Sequence, residues 1–191
     1  VAKACASHAV IMSVNNSLYC DPIYKFGSDA QRQRFLVPFA SGQKIGCFAL
    51  TEPQAGSDAA NQHTTAVRDG DHYVLNGQKI FVTSGREASA TLVFCQTDRS
   101  QGSHGISAFL VERGTPGFLI PKCEDKLGLH ASDTAEFVFD DCRVPAENRL
   151  GEEGEGFYIA MSAVDVGRLC TAASALGVAQ ACLDASVAYA N

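Results

Sequence analysis

The sequence predicts an α+β fold with its helical and β regions segregated: a helical segment, a central β-sandwich or small barrel, then the start of an α-helical bundle. Three observations carry this. Residues 1–44 read as helical or helix-connecting. Residues 45–145 break into short strand-like runs separated by turns. Residues 157–191 contain no proline and are rich in Ala, Leu and Val. There is no internal repeat and no alternation of strands with helices, so a Rossmann-type fold is not supported. The domain divisions expected are 1–44, 45–152 and 153–191.

In the first zone Ser28 and Asp29 stand where a helix N-cap belongs, ahead of apolar Phe35, Leu36 and Phe39. Pro38 lies near the end of that helix, and Ser41 and Gly42 close the zone. In the second zone strands are expected at 45–51, 63–67, 73–75, 79–83, 90–96, 106–111, 117–121 and 135–139. Asp69-Gly70-Asp71 is a hairpin signal, and Asn76-Gly77 reads as a second turn. In the third zone apolar residues occupy nearly every face, which predicts one or two helices buried in a bundle. Such a segment needs further helices, from a longer chain or from a partner, to bury it.

Composition narrows the function classes. The chain has 191 residues, 46% of them hydrophobic and 19% charged, enough for a real core and unlike a disordered segment. The formal net charge is −6 and the basic residues are scattered, which argues against nucleic-acid binding. A local anion such as a nucleotide remains compatible with that charge. Eight cysteines are spread through the chain with no CxxC or zinc spacing, and they read as buried apolar residues in a reducing compartment. No metal site is expected. The apolar stretch from Phe157 is interrupted by Asp165 and Arg168 and reads as a poor membrane span. There is no signal-peptide layout, so a cytoplasmic protein is expected. The absent initiator Met and the helical sequence reaching Asn191 read as a fragment.

Two runs point to chemistry. In FALTEPQAGSD at 48–58 a strand ends at Thr51, Pro53 stops the pairing, and Ala55 to Asp58 turn tightly. A turn of this kind offers free backbone amides and small hydroxyls to a polar heterocycle or a phosphate, or it is an ordinary strand-to-loop transition. NGQKIFVTSG at 76–85 repeats the theme with a strand that ends in Thr83. Phe81 is suited to stacking on a ligand, with core packing as the alternative. Glu52, beside Pro53, reads as a loop-fixing carboxylate rather than a base. Asp165 and Arg168 fall on one face of the last helix and read as a buried i,i+3 ion pair.

The run 48–58 closely resembles a signature of the acyl-CoA dehydrogenase family, and 76–85 is similar to that family's second block. SDTAEFVFDDCRVP at 132–145, followed by Asn148 and residues 151–157, resembles a third block. The likeness extends into the first zone at Asn15, Asn16, Ser17, Phe26 and Gly27, and is strongest to the short-chain, butyryl-CoA type or its branched-chain relatives. It implies FAD as cofactor and the oxidation of an acyl-CoA thioester to the trans-2-enoyl-CoA. Electrons would pass to an electron-transfer flavoprotein, and the whole protein would be a homotetramer, cytoplasmic in a bacterium or in the mitochondrial matrix of a eukaryote.

By the same resemblance Phe48, Leu50, Thr51, Gly56, Ser57, Phe81, Val82 and Thr83 contact FAD. Ser57, Asp165 and Arg168 contact the acyl-CoA. The family often has Trp where this chain has Phe81. Some members carry the catalytic Glu immediately before the helix arginine, where this chain has Gly167. No residue here matches a catalytic base, so the chain alone is expected to be inactive and to hold FAD weakly. Two other readings share these motifs: a non-catalytic dehydrogenase-like subunit, and an acyl-CoA oxidase or flavin monooxygenase on the same fold.

Overall fold

The computed structural model describes all 191 residues. The helical zone comprises α1 (Ala6–Ser13), a π-helical run Val14–Cys20, α2 (Asp21–Phe26), α3 (Asp29–Gln31), a second π-helical run Arg32–Leu36 and α4 (Val37–Ala40). Ser28 caps α3 with a full capping box: its hydroxyl accepts from the Gln31 amide at 3.2 Å, and its own amide donates to Gln31 Oε1 at 3.0 Å. The Gln31 amide group then donates to the carbonyls of Glu147 and Arg149, at 2.7 and 2.8 Å, so the cap also ties the helices to the β region. Asn15 makes a second tie, donating to the Phe39 carbonyl at 3.3 Å and accepting from the Gly46 amide at 2.9 Å.

The β region is one eight-stranded sheet made of β1 (Gly46–Ala49), β2 (Thr65–Asp69), β3 (His72–Thr83), β4 (Ala90–Gln96), β5 (Ile106–Glu112), β6 (Phe118–Cys123), β7 (Thr134–Pro145) and β8 (Arg149–Leu150). The strand order is β6-β7-β3-β2-β4-β5-β8, with β1 parallel to β4. Gly70, at φ +62°, turns the β2–β3 hairpin, in which Asp69 pairs with His72.

Alternation along the central strands builds two cores. Val93 and Cys95 of β4, with Phe109 and Val111 of β5, enter a core shared with Tyr73, Leu75, Val82 and Phe137. Their neighbours Leu92, Phe94, Ala108 and Leu110 face the other way and meet Tyr19, Ile23, Phe35 and Phe39 of the helices. A strand buried on both faces reads as continuously apolar, and every residue of β4 is buried.

Three sequence expectations are corrected here. Asn76-Gly77 does not turn the chain: residues 72–83 form one long strand, and the pairing with β7 slips between Leu75 and Gly77 and again between Lys79 and Val82. Asn-Gly signals a backbone with φ > 0, and a β-bulge satisfies that signal as well as a turn does. The last zone is a single helix, α5 (Gly156–Ala190), buried only at Gly156, Ile159, Ala160 and Ala163. Beyond those turns one side of α5 lies along α1 and the π-helical run Val14–Cys20, while Leu169, Leu176, Leu183 and Tyr189 stay exposed. By length and composition α5 would suffice to cross a membrane, contrary to the expectation, although its first turns are packed into the helix-facing core. The Asp165–Arg168 pair forms at 2.7 Å as the i,i+3 spacing predicts, but both side chains are 71% exposed rather than buried.

The cysteine expectation holds for half the set. Cys20, Cys47, Cys95 and Cys142 are buried, whereas Cys5 and Cys182 are exposed. Burial pushes the Cys47 and Cys95 thiols up to about 12 and those of Cys20 and Cys142 up to about 11. Titration of the native protein with a chromogenic disulfide near neutral pH should therefore label Cys5 and Cys182 fast and leave those four unlabelled until denaturant is added. Rapid labelling of Cys47 or Cys95 in the native state would contradict this packing.

Candidate functional site

The end of β1 and the end of β3 approach each other where the helices meet the sheet. The amide of Ile80 donates to the Thr51 carbonyl at 2.9 Å, which joins the two strands just beyond the edge of regular pairing. The slip between Lys79 and Val82 reverses the side-chain alternation of β3. Tyr73, Leu75 and Lys79 point inward, then Val82 takes the inward place and Phe81 is turned outward, 62% exposed and at φ +58°. A bulky residue in that backbone region is strained, which marks the position as one held by its surroundings.

A cavity of about 210 Å³ lies over these strand ends, lined by Phe48, Leu50, Thr51, Ile80, Phe81 and Thr83 of the β region. Val14, Leu18 and Val164 close it from the helices. The same three helical residues also line a larger cavity of about 550 Å³ between α1, the π-helical run and α5, which Gly167, Arg168 and Thr171 border. The two spaces therefore share a wall made by these three residues. Neither is lined by a carboxylate.

Beneath the smaller cavity lies an ion pair that the sequence reading did not assemble. Lys79 is 0% exposed, and its ammonium donates to Leu50 O at 3.1 Å, Glu52 Oε1 at 2.7 Å and Gln62 Oε1 at 2.9 Å. Glu52 also accepts from the amides of His63 and Thr64, at 2.6 and 3.1 Å, and from the Gln54 side chain at 2.7 Å. Burial tends to raise the Glu52 pKa, but the Lys79 charge and these hydrogen bonds hold it below the ordinary carboxylate value. Burial pulls the Lys79 ammonium below its ordinary value against the opposing pull of Cys95 and Glu52. Glu52 thus fixes a loop, as its place beside Pro53 suggests, and does not face either cavity.

Of the residues singled out in the sequence, the structure brings Phe48, Leu50, Thr51, Phe81 and Thr83 to one cavity wall and Arg168 to the adjoining space. The Val82 side chain is not among them, since it is buried in the sheet core. Gly56 and Ser57 lie on the exposed loop that Glu52 closes, and Asp165 is exposed beside Arg168. Sequence reasoning missed Lys79, Val14, Leu18 and Val164. A lysine at the inward parity of an otherwise apolar strand was an available signal for the first. The other three are ordinary apolar helix residues, and only the tertiary fold distinguishes them.

Two features of the smaller cavity suit a flavin. Its walls are apolar and aromatic, with Phe81 free to stack. The hydroxyls of Thr64 and Thr65 bond to strand carbonyls, whereas those of Thr51 and Thr83, on the cavity wall, make no hydrogen bond within the chain and remain available to a polar ring edge.

A helical segment, a two-cored sheet and a long helix meet at this cavity, the three-part layout of the acyl-CoA dehydrogenase fold. Family models agree along the chain: those for the acyl-CoA dehydrogenase N-terminal, middle and C-terminal domains match residues 1–43, 47–142 and 154–191. The chain belongs to the acyl-CoA dehydrogenase family, whose members depend on FAD. It is 58% identical over its whole length to the mitochondrial short-chain specific acyl-CoA dehydrogenase of Mus musculus, covering 46% of that protein. The butyryl-CoA dehydrogenase structure from Megasphaera elsdenii superposes with a TM-score of 0.97 at 53% identity, over 98% of this chain and 49% of that one. A chain in the structure reported for the electron transferring flavoprotein of Acidaminococcus fermentans matches with a TM-score of 0.93 at 56% identity, over 94% and 47%. The chain spans about half the length of the curated relatives it matches.

Proposed function

We propose that this chain carries the flavin-facing and part of the CoA-facing surface of a short-chain acyl-CoA dehydrogenase, which converts a saturated acyl-CoA to its trans-2-enoyl-CoA and passes the electrons to an electron-transfer flavoprotein. The observation that carries the reading is the pair of strand ends, 48–51 and 80–83, converging on one apolar cavity that shares a wall with a larger one bordered by Arg168. FAD supplies the acceptor for the β-hydride when it is bound. Phe48, Leu50 and Phe81 give the ring apolar walls, and Thr51 and Thr83 offer hydroxyls to its polar edge. Val82 contributes through its backbone, because its side chain is in the core. Gly56 and Ser57 present backbone and hydroxyl from the loop to FAD, and Ser57 also to the acyl-CoA.

Asp165 and Arg168 meet the CoA moiety as an exposed pair, the carboxylate accepting from the pantetheine and the guanidinium bonding the polar tail. Gly167, at the border of the larger cavity, leaves room for the acyl chain where some relatives place a carboxylate. The acceptor for the α-proton is therefore none of these lining residues. A homotetramer is proposed for the whole protein.

The test is anaerobic addition of butyryl-CoA to the FAD-loaded holoenzyme, followed by supply of an electron-transfer flavoprotein. Loss of the visible flavin absorbance, with the electrons recovered in the partner, is the expected result. Rapid reoxidation by oxygen in place of the partner would instead favour the oxidase or monooxygenase reading. Phe81→Ala should weaken FAD binding by about 2- to 10-fold, the range expected for one lost aromatic contact. Folding stability should hardly change, because the ring is already 62% exposed. Unchanged FAD affinity in a fluorescence titration would remove Phe81 from the flavin wall.

A further inference from the structure

We propose that Lys79, locked to Glu52 and Gln62, is a positioning residue that sets the spacing of the two flavin-facing walls, an inference that rests on the flavin-site reading above. The ammonium is fully buried and has three donors, each with an acceptor on a different part of the site. One is the Leu50 carbonyl, at the end of the strand that forms the first wall. The second is Glu52, at the start of the loop that carries Gly56 and Ser57. The third is Gln62, near the end of that loop, whose own amide group donates to the Ala59 carbonyl at 3.0 Å. Lys79 itself sits in β3, one residue before Ile80 and two before Phe81, which belong to the second wall.

A single cation thus joins both walls and both ends of the loop between them. Glu52 completes the closure by accepting from the amides of His63 and Thr64, so that the loop from 52 to 64 is fastened at its base. A purely structural ion pair needs only two partners. This one engages the main chain of the cavity wall, and its anion engages the main chain of the loop. The Leu50 carbonyl has its side-chain donor only while Lys79 is present, and Thr51, the next residue, carries a site hydroxyl. Loss of the lysine frees that strand end to shift relative to Phe81 and Thr83. Hydrogen bonds to a bound flavin depend on donor placement to within tenths of an ångström, so its electron affinity should report the shift.

The test compares the holoenzyme with Lys79→Met, Glu52→Gln and the Lys79→Met/Glu52→Gln double variant. The readouts are the FAD dissociation constant, the reduction potential of the bound flavin, and kcat and KM separately. The double variant matters most. It removes both charges together, so the folding defect of a stranded buried ion is largely avoided, yet the Leu50 carbonyl still lacks its donor. We expect it to remain folded, to bind FAD about tenfold or more weakly, and to hold the flavin at a more negative potential. Its kcat should fall more than its KM for acyl-CoA rises. A folded double variant with wild-type FAD affinity and potential would overturn the proposal and leave the pair a structural one. If the wild-type protein bound no flavin, the underlying site reading would fail instead, and the two failures are distinguished by that control.

Discussion

Glu52→Gln alone should lower folding stability by about 3–5 kcal/mol, the cost of leaving one partner of a buried ion pair uncompensated. The magnitude is large because neither side chain has access to water, at 0% and 1% side-chain exposure for Lys79 and Glu52. A denaturation midpoint measured in urea should drop with little change in slope. Adding Lys79→Met to the same variant should recover part of the loss, since the buried cation goes with its partner and the glutamine still accepts from a loop amide. What remains should be about 1–3 kcal/mol from the Leu50 carbonyl and Gln62 Oε1, both left without the lysine donor. The pH dependence has a definite sign. The folded-state pKa of Glu52 lies below its ordinary value of 4.5, so its contribution is complete above that value and is lost as pH falls through the depressed one. The gap between wild type and Glu52→Gln should therefore narrow in acid. A gap that stayed constant from neutral pH down to about pH 3 would mean that this carboxylate does not carry the effect.

The ion pair also shows where the reach of the sequence ends. The segregation of helices from strands was legible because period and composition change abruptly near residues 45 and 151. The position of β4 was legible because a strand buried on both faces is written as an unbroken apolar run, and residues 90–96 are such a run. The two strand ends proposed to face the flavin stand out through their resemblance to a family, and the structure brings 48–51 and 80–83 to one cavity. The partners of Lys79 were not legible. They lie 17, 27 and 29 residues away, and contacts at such separations leave no periodic trace in the chain. The sequence leaves the outward turn of Phe81 open, between stacking and core packing, for a related reason: one irregularity in a ladder inverts every later side chain, and nothing in the residues at 80 and 81 announces it. The exposure of Asp165 and Arg168 was misjudged because an almost wholly apolar helix was assumed to be surrounded, whereas within the chain only one side of it is covered, by α1 and the π-helical run, and the pair lies on the open side.

Gly77→Ala should be strongly damaging for a single added methyl, costing roughly 2–5 kcal/mol. Two penalties combine. Gly77 adopts φ +145°, a conformation that L side chains rarely adopt, and an added Cβ would lie 2.6 Å from the Cα of Thr64. Backbone cannot swing aside as a flexible side chain can, so either β3 or the loop end must move. Both are tied to the clasp: the Thr64 amide donates to Glu52, and Lys79 follows Gly77 by two residues. The strain should therefore reach the cavity as well as the fold, so the substitution should weaken FAD binding although it touches no cavity residue. Gly70→Ala provides the control. Gly70 has φ +62° but nothing within 4 Å of an added Cβ, so only the backbone penalty of about 1–2 kcal/mol applies. Equal losses for the two variants in urea titrations would show that the approach of Thr64 contributes nothing. A larger loss at Gly77, with weakened FAD binding at Gly77 alone, would trace the coupling to the close approach of Thr64 beside the first irregularity of β3. Thr64 continues the β2–β3 register, with Thr65 paired to Asn76, so it lies beside Gly77, and at φ +145° a Cβ there would point into its backbone.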